Sequence, residues 1–203
     1  MSLFLIWLGV MFPLVFSPGP ANIVFAASGA RVGVRKSLPL LAGIDLVFII
    51  KSLIIGFGLG QAVQNYSSLM NVVQLIGASY LIYLGIGFLK STANTSKEQQ
   101  KVFSFTDGLL VQLLNSKGWL MVFLMFSLFS KQAQSAFGEQ GIWVLVIWLA
   151  ILNISVHLLW VKMGFWLSKI SSSENYAKGL NLFYAGCLIL VSFGLIVNNP
   201  ILM

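Results

Sequence analysis

Apolar residues run in blocks of about twenty or more along this chain, broken by short polar or basic clusters. A helix needs about 20 apolar residues to cross the hydrocarbon core of a bilayer. The blocks predict six membrane-spanning helices: about Leu3 to Ala27, Ser37 to Leu59, Leu69 to Leu89, Phe105 to Phe129, Ile142 to Leu167 and Gly179 to Val197. Polar stretches separate them, the longest being Lys90 to Lys101, which divides the chain in two. The first block contains an anomaly, Ser17-Pro18-Gly19-Pro20. Each proline removes a backbone donor and clashes with the preceding turn. At membrane depth such a defect survives only where protein or a water-filled cavity satisfies the freed groups. A broken helix there marks a candidate substrate site, with Asn22 just beyond it.

The positions of the bases orient the spans. Arg31, Arg35, Lys36, Lys90, Lys97, Lys101, Lys169 and Lys178 fall in the first, third and fifth loops, and only Lys131 falls on the opposite side. Bases accumulate in cytoplasmic loops, so both termini are predicted outside. Three spans per half then point the halves in opposite directions, the inverted repeat of many secondary transporters. The predicted fold is therefore an all-α integral membrane protein of six helices in two inverted three-helix repeats. It forms one membrane domain, with repeat one over 1–89, a cytoplasmic linker over 90–104 and repeat two over 105–203. Glycines eight apart, Gly77 and Gly85 in span three and Gly186 and Gly194 in span six, fit the repeat and suit close helix packing. They also offer faces for a homodimer. Asn115-Ser116-Lys117-Gly118 lies in span four at the place matching the first break, and is predicted to be its partner.

Composition narrows the class. Of 203 residues 58% are hydrophobic and 8% charged, with a mean hydropathy of +0.93. A soluble domain of this size needs a more polar surface. The net charge of +7 reads as topology rather than a nucleic-acid stripe, because the bases sit in short loops. The one cysteine, Cys187, excludes an intrachain disulfide and a cysteine-rich metal site. No basic region precedes the first apolar block, which argues against a cleaved signal peptide.

Polar residues inside the spans carry the candidate chemistry. A charge at mid-membrane is costly and usually faces a cavity or a partner. Asp45 in span two could bind an ammonium group or carry a proton, or it could serve as a structural partner, for instance of Lys117. Lys51 lies six residues on, offset by about 120°, and suits pairing with a neighbouring helix or snorkelling. Lys117 could hold a substrate carboxylate, pair with Asp45 when the site is empty, or simply snorkel. His157 could relay protons or pack by hydrogen bonds. Asn153 and Lys162 share its span, Lys162 reading as a snorkelling residue. Gln74 and Gln112 read as links between helices, and Trp7, Trp143 and Trp148 as interface anchors. One histidine, one cysteine and one intramembrane acid offer no convincing triad, dyad or metal cage, so no enzyme, metal or cofactor is expected.

Together these residues resemble the LysE/RhtB family of amino-acid exporters over nearly the whole chain. The resemblance rests on Ser17-Pro18-Gly19-Pro20, on Ser28-Gly29-Ala30-Arg31-Val32-Gly33, on Gly43 and the Gly56–Gly60 run, on Ala78 to Gly85, and on Asn115-Ser116-Lys117 where the family has Asn-Pro-Lys. It implies a bacterial inner-membrane protein that uses the proton-motive force to export amino acids or related small amphoteric metabolites. Broken first and fourth helices would face each other across the site. By position it implies that Pro18, Gly19, Pro20, Asn115 and Lys117 are motif residues, with Ser116 a departure that predicts a milder second break. His157 stands where many members have an acid. An amphoteric substrate would be bound by Pro18, Gly19, Pro20, Asn22, Asp45, Asn115, Ser116 and Lys117, with Asp45 and His157 coupling protons. A passive channel or a non-transporting membrane subunit is the alternative.

Overall fold

The computed structural model describes residues 2–59, 67–93, 102–170 and 173–202. Gly60, the polar turn at 61–66 and the linker positions 94–101 lie outside those residues. The described residues form seven α-helices: α1 (Leu3–Phe16), α2 (Pro20–Ile54), α3 (Ser67–Ala93), α4 (Phe105–Leu113), α5 (Ser116–Phe137), α6 (Gly141–Lys169) and α7 (Glu174–Val197). A π-helical turn, Ile55–Leu59, extends α2, and a 3-10 turn, Gly138–Gln140, joins α5 to α6. There is no strand among the described residues. Three stretches are long and apolar enough to cross a membrane, Pro20–Gly58, Ser116–Lys169 and Lys178–Val197, and α1 is a shorter apolar helix.

The first of those stretches is two helical arms. Gly33 has φ 77° and ψ 174°, a left-handed backbone that suits glycine. The Ser28 and Ser37 hydroxyls on either side lie 2.8 Å apart. In a straight helix nine residues rise about 13.5 Å, so the chain must fold sharply at Gly33. The sequence predicts a loop from Ala27 to Ser37. Instead helix persists on both sides and one residue makes the bend, because helical hydrogen bonding is preferable to an open loop wherever apolar surroundings supply no water. A second fold joins α5 to α6, where Gly141 packs against the Ala133 backbone.

Close crossings hold the bundle. At Gly29 and Gly164, α2 and α6 approach so tightly that an added methyl would run into the backbone of Val161 and Ala26 respectively. Gly43 and Gly108 do the same for α2 and α4. Small residues at such crossings allow van der Waals contact where lipid offers no hydrophobic drive. A capping box starts α4: the Ser104 hydroxyl accepts from the Asp107 amide and the Asp107 carboxylate accepts from the Ser104 amide. Tyr80 of α3 donates to the same carboxylate at 3.0 Å. Gln74 donates to the Leu195 carbonyl at 2.9 Å, linking α3 to α7 as predicted.

The glycine pairs expected to match do not pack alike. Gly77 abuts Leu114 and Gly85 abuts Ile189, whereas Gly186 and Gly194 have no described neighbour within 4 Å of an added methyl. Trp7 is another correction. It is 1% exposed and stacks among Phe4 and Trp148, so it belongs to the core rather than an interface. Trp143 is half-exposed, as an anchor should be. Large apolar side chains line the outside, Leu190, Phe193 and Ile170 among them, a surface suited to lipid rather than water. Inside are two apolar cores. One centres on the first arm of α2 with α3, α4 and α7, the other on α1, α5 and α6. The helix breaks lie where the cores meet.

Candidate substrate site

The first break occupies Ser17, Pro18 and Gly19. A helix end leaves its last carbonyls without intrahelical donors, and here Pro18 and Pro20 have no N–H to give. Each orphan finds another donor. The Ser17 amide bonds the Pro13 carbonyl at 2.9 Å and the Ser17 hydroxyl donates to Leu14 at 2.9 Å. Asn22 donates its amide to Val15 at 2.9 Å and to Ser17 at 3.0 Å. The Trp160 indole donates to Phe16 at 3.2 Å. Lys117 of α5 donates to the Ser17 carbonyl at 2.9 Å and to its hydroxyl at 2.8 Å. Gly19 has room for no side chain without shifting that lysine, whose Nζ would lie 3.1 Å from an added methyl.

The second break is real and shorter, spanning only Leu114 and Asn115 between α4 and α5. Asn115, with ψ 96°, leaves the helical path and caps α5 by accepting the Gly118 amide at 3.3 Å. Asparagine is among the preferred residues for that task. Its own amide donates to Gln112 at 3.1 Å. Lys51 donates to the Gln112 carbonyl and lies 4.4 Å from the Trp119 ring centre, so it pairs with the neighbouring helix. Trp119 satisfies the Leu113 carbonyl at 3.0 Å.

Between the breaks lies a small, partly open pocket. Gly19, Pro20, Asn22, Asn115, Lys117 and His157 line it, together with Gln112 and Asn153. The amino ends of α2 and α5 both border it. These ends carry partial positive charge and unpaired N–H groups, which favour an anion. Pro18 is exposed and outside the cavity. Ser116 faces a separate space of about 240 Å³ with Tyr80.

Asp45 and Lys117 are not paired. The Asp45 carboxylate lies 2.7 Å from Nδ1 of His157, with both residues buried. His157 lines the cavity while Asp45 stands behind it, among side chains that include Ser52 and Asn153. The Phe25 ring, 4.6 Å from the imidazole centre, holds it from the side. The acid thus reaches the cavity only through the histidine. The other carboxylate oxygen, Oδ2, has no hydrogen-bond partner among the described residues.

Sequence reading assigns Asn153 and Gln112 no place in the site. Asn153 is four residues before His157 and so shares its helix face. That spacing is the signal that could have found it. Gln112 precedes the break by one turn and carries no comparable mark.

Polar side chains gathered between interrupted helices of an apolar bundle are a feature of many membrane transporters. The chain belongs to the LysE type translocator family, whose sequence model matches residues 12–199. Similar proteins include a cysteine/O-acetylserine efflux protein of Klebsiella pneumoniae, 27% identical over 90% of this chain and 91% of the relative. A protein of that description from Escherichia coli is 28% identical over 85% of this chain and 87% of its own. One from Salmonella paratyphi A is 26% identical over the same shares. No solved structure matches the chain.

Proposed function

We propose that this protein is a bacterial inner-membrane secondary transporter that exports small amino acids or related amphoteric metabolites by proton-coupled alternating access. In this reading its six spans form two inverted three-helix repeats with both termini periplasmic. The observation that carries it is the cavity bordered by two helix amino ends and by the Asp45–His157 pair. The similarity to cysteine/O-acetylserine efflux proteins supports the direction and the substrate class.

The chemistry follows from which atoms are taken. With Asp45 ionised, its carboxylate can only accept, and Nδ1 of His157 then donates to it. Nε2 then has a lone pair, and a substrate ammonium is a fitting donor to it. The substrate carboxylate lies against the N–H groups at the starts of α2 and α5, with the Lys117 charge nearby. Protonation of Nε2 removes the acceptor and sets a positive charge beside the ammonium. Proton and substrate compete for one lone pair, which is the logic of exchange. Periplasmic protons thereby release substrate outward.

The test is efflux from proteoliposomes with and without a pH gradient. Asp45→Asn should abolish gradient-driven efflux while the protein remains in the membrane at wild-type level. Normal gradient-driven efflux in that variant would overturn the coupling role. Equal flux without any gradient in the wild type would make the protein a passive channel.

A further inference from the structure

Asn153 is 1% exposed, yet neither its amide oxygen nor its amide nitrogen has a hydrogen-bond partner among the described residues. Several other buried polar side chains are paired. Ser52 bonds the Phe48 carbonyl at 2.9 Å and Ser192 the Leu188 carbonyl at 2.7 Å, each one turn back along its own helix. Asn153 links no helix to another and caps no break. A buried amide left unpaired is costly, because its water has been removed without replacement. Gln112 repeats the pattern. It is fully buried, its Oε1 accepts from Asn115, and its Nε2 has no partner among the described residues. Both residues line the one cavity that His157 and Lys117 also line.

Two N–H-bearing groups and one carbonyl oxygen, all on residues that line this one space, therefore lack a partner among the described residues. His157, Lys117 and the helix ends account for an ammonium and a carboxylate, and none of them accounts for these amides. We infer that Asn153, assisted by Gln112, reads the variable side chain of the transported molecule and selects a short, uncharged side chain with a hydrogen-bonding oxygen. Such a group accepts from the two amide nitrogens. A hydroxyl or primary amide also donates to Oδ1 of Asn153. A purely aliphatic side chain of equal size leaves all three unmade. Sites built around buried hydrogen-bonding groups reject analogues lacking the partner far more strongly than apolar pockets reject a missing methylene.

The inference rests on the amino-acid transporter reading, and the experiment separates the two. Binding to the purified, detergent-solubilised full chain is measured by thermal stabilisation and titration with two shape-matched pairs, serine against 2-aminobutyrate and asparagine against leucine. The wild type should bind the polar member of at least one pair about 10- to 100-fold more tightly. Asn153→Leu should reduce that ratio to within about threefold, mainly by weakening the polar ligand. Gln112→Met, the second variant, should lose part of the discrimination even if the first does not fold. Wild-type binding that does not distinguish the members of either pair overturns the inference and leaves the transporter reading intact. Undiminished discrimination in the variants means that the amides are satisfied by structural water, and it also overturns the inference. Failure of every amino acid to bind overturns both readings.

Discussion

Lys117 is the side chain that ties the two breaks together, and its removal can be worked through. Lys117→Met keeps most of the apolar stem and deletes the ammonium that donates to the Ser17 carbonyl and hydroxyl at 2.9 and 2.8 Å. A hydrogen bond from a charged donor contributes about 1.5–3 kcal/mol when buried. Lys117 is only half-buried, and solvent screening discounts each bond. The Ser17 carbonyl also keeps Asn22 as a donor. The net loss comes to about 1–2 kcal/mol. For a chain of 203 residues, that lowers the melting temperature by roughly 2–8 °C. The measurement is thermal unfolding in detergent, run as a double-mutant cycle with Ser17→Ala. Residues in direct contact should show a coupling above about 0.5 kcal/mol. Strictly additive effects, or a Lys117→Met protein that melts with the wild type, would refute the bridge.

Other outcomes follow from the packing. Gly164→Leu drives a side chain into the Ala26 backbone, and overpacking of about 3 kcal/mol or more should abolish a monodisperse peak in size-exclusion chromatography. Gly186→Ala, which meets nothing within 4 Å, should stay within about 0.5 kcal/mol of the wild type in thermal unfolding. Trp160→Phe leaves the Phe16 carbonyl without a donor, since Pro20 cannot supply one. It should cost about 1–3 kcal/mol in thermal unfolding, and a melting curve unchanged from the wild type would contradict that accounting.

Both breaks were legible in the chain, for different reasons. Pro18 and Pro20 announce theirs through missing donors, whereas the second was placed by the polar run Asn115-Ser116-Lys117 standing at the matching position in span four. The departure at Ser116 correctly implied a milder interruption, since two residues break the second helix and three the first. Partnerships between helices were not legible. Periodicity tells which face of a helix a residue occupies but not which helix comes to meet it. Asp45 and His157 are 112 positions apart, and only the α2–α6 crossing brings them together. Lys117 found a carbonyl freed by proline rather than the acid, because the unsatisfied group nearest it belonged to the backbone. Trp7 was misread for a related reason: position near a span end suggests an interface, but burial depends on the neighbours. Loop length failed at Gly33, where a single residue of unusual φ replaces the several that basic side chains suggested.

That bend governs how the molecule can move. Ser28 and Ser37 are stapled across it, so the two arms of α2 have no slack between them and act as a rigid elbow. One arm ends at the first break and the other carries Asp45. A tilt of the first arm is therefore delivered as leverage on the buried acid and the histidine it holds. The arm meets α1 at Ser17–Gly19, where the bonds from Asn22 and Lys117 would have to yield for it to tilt.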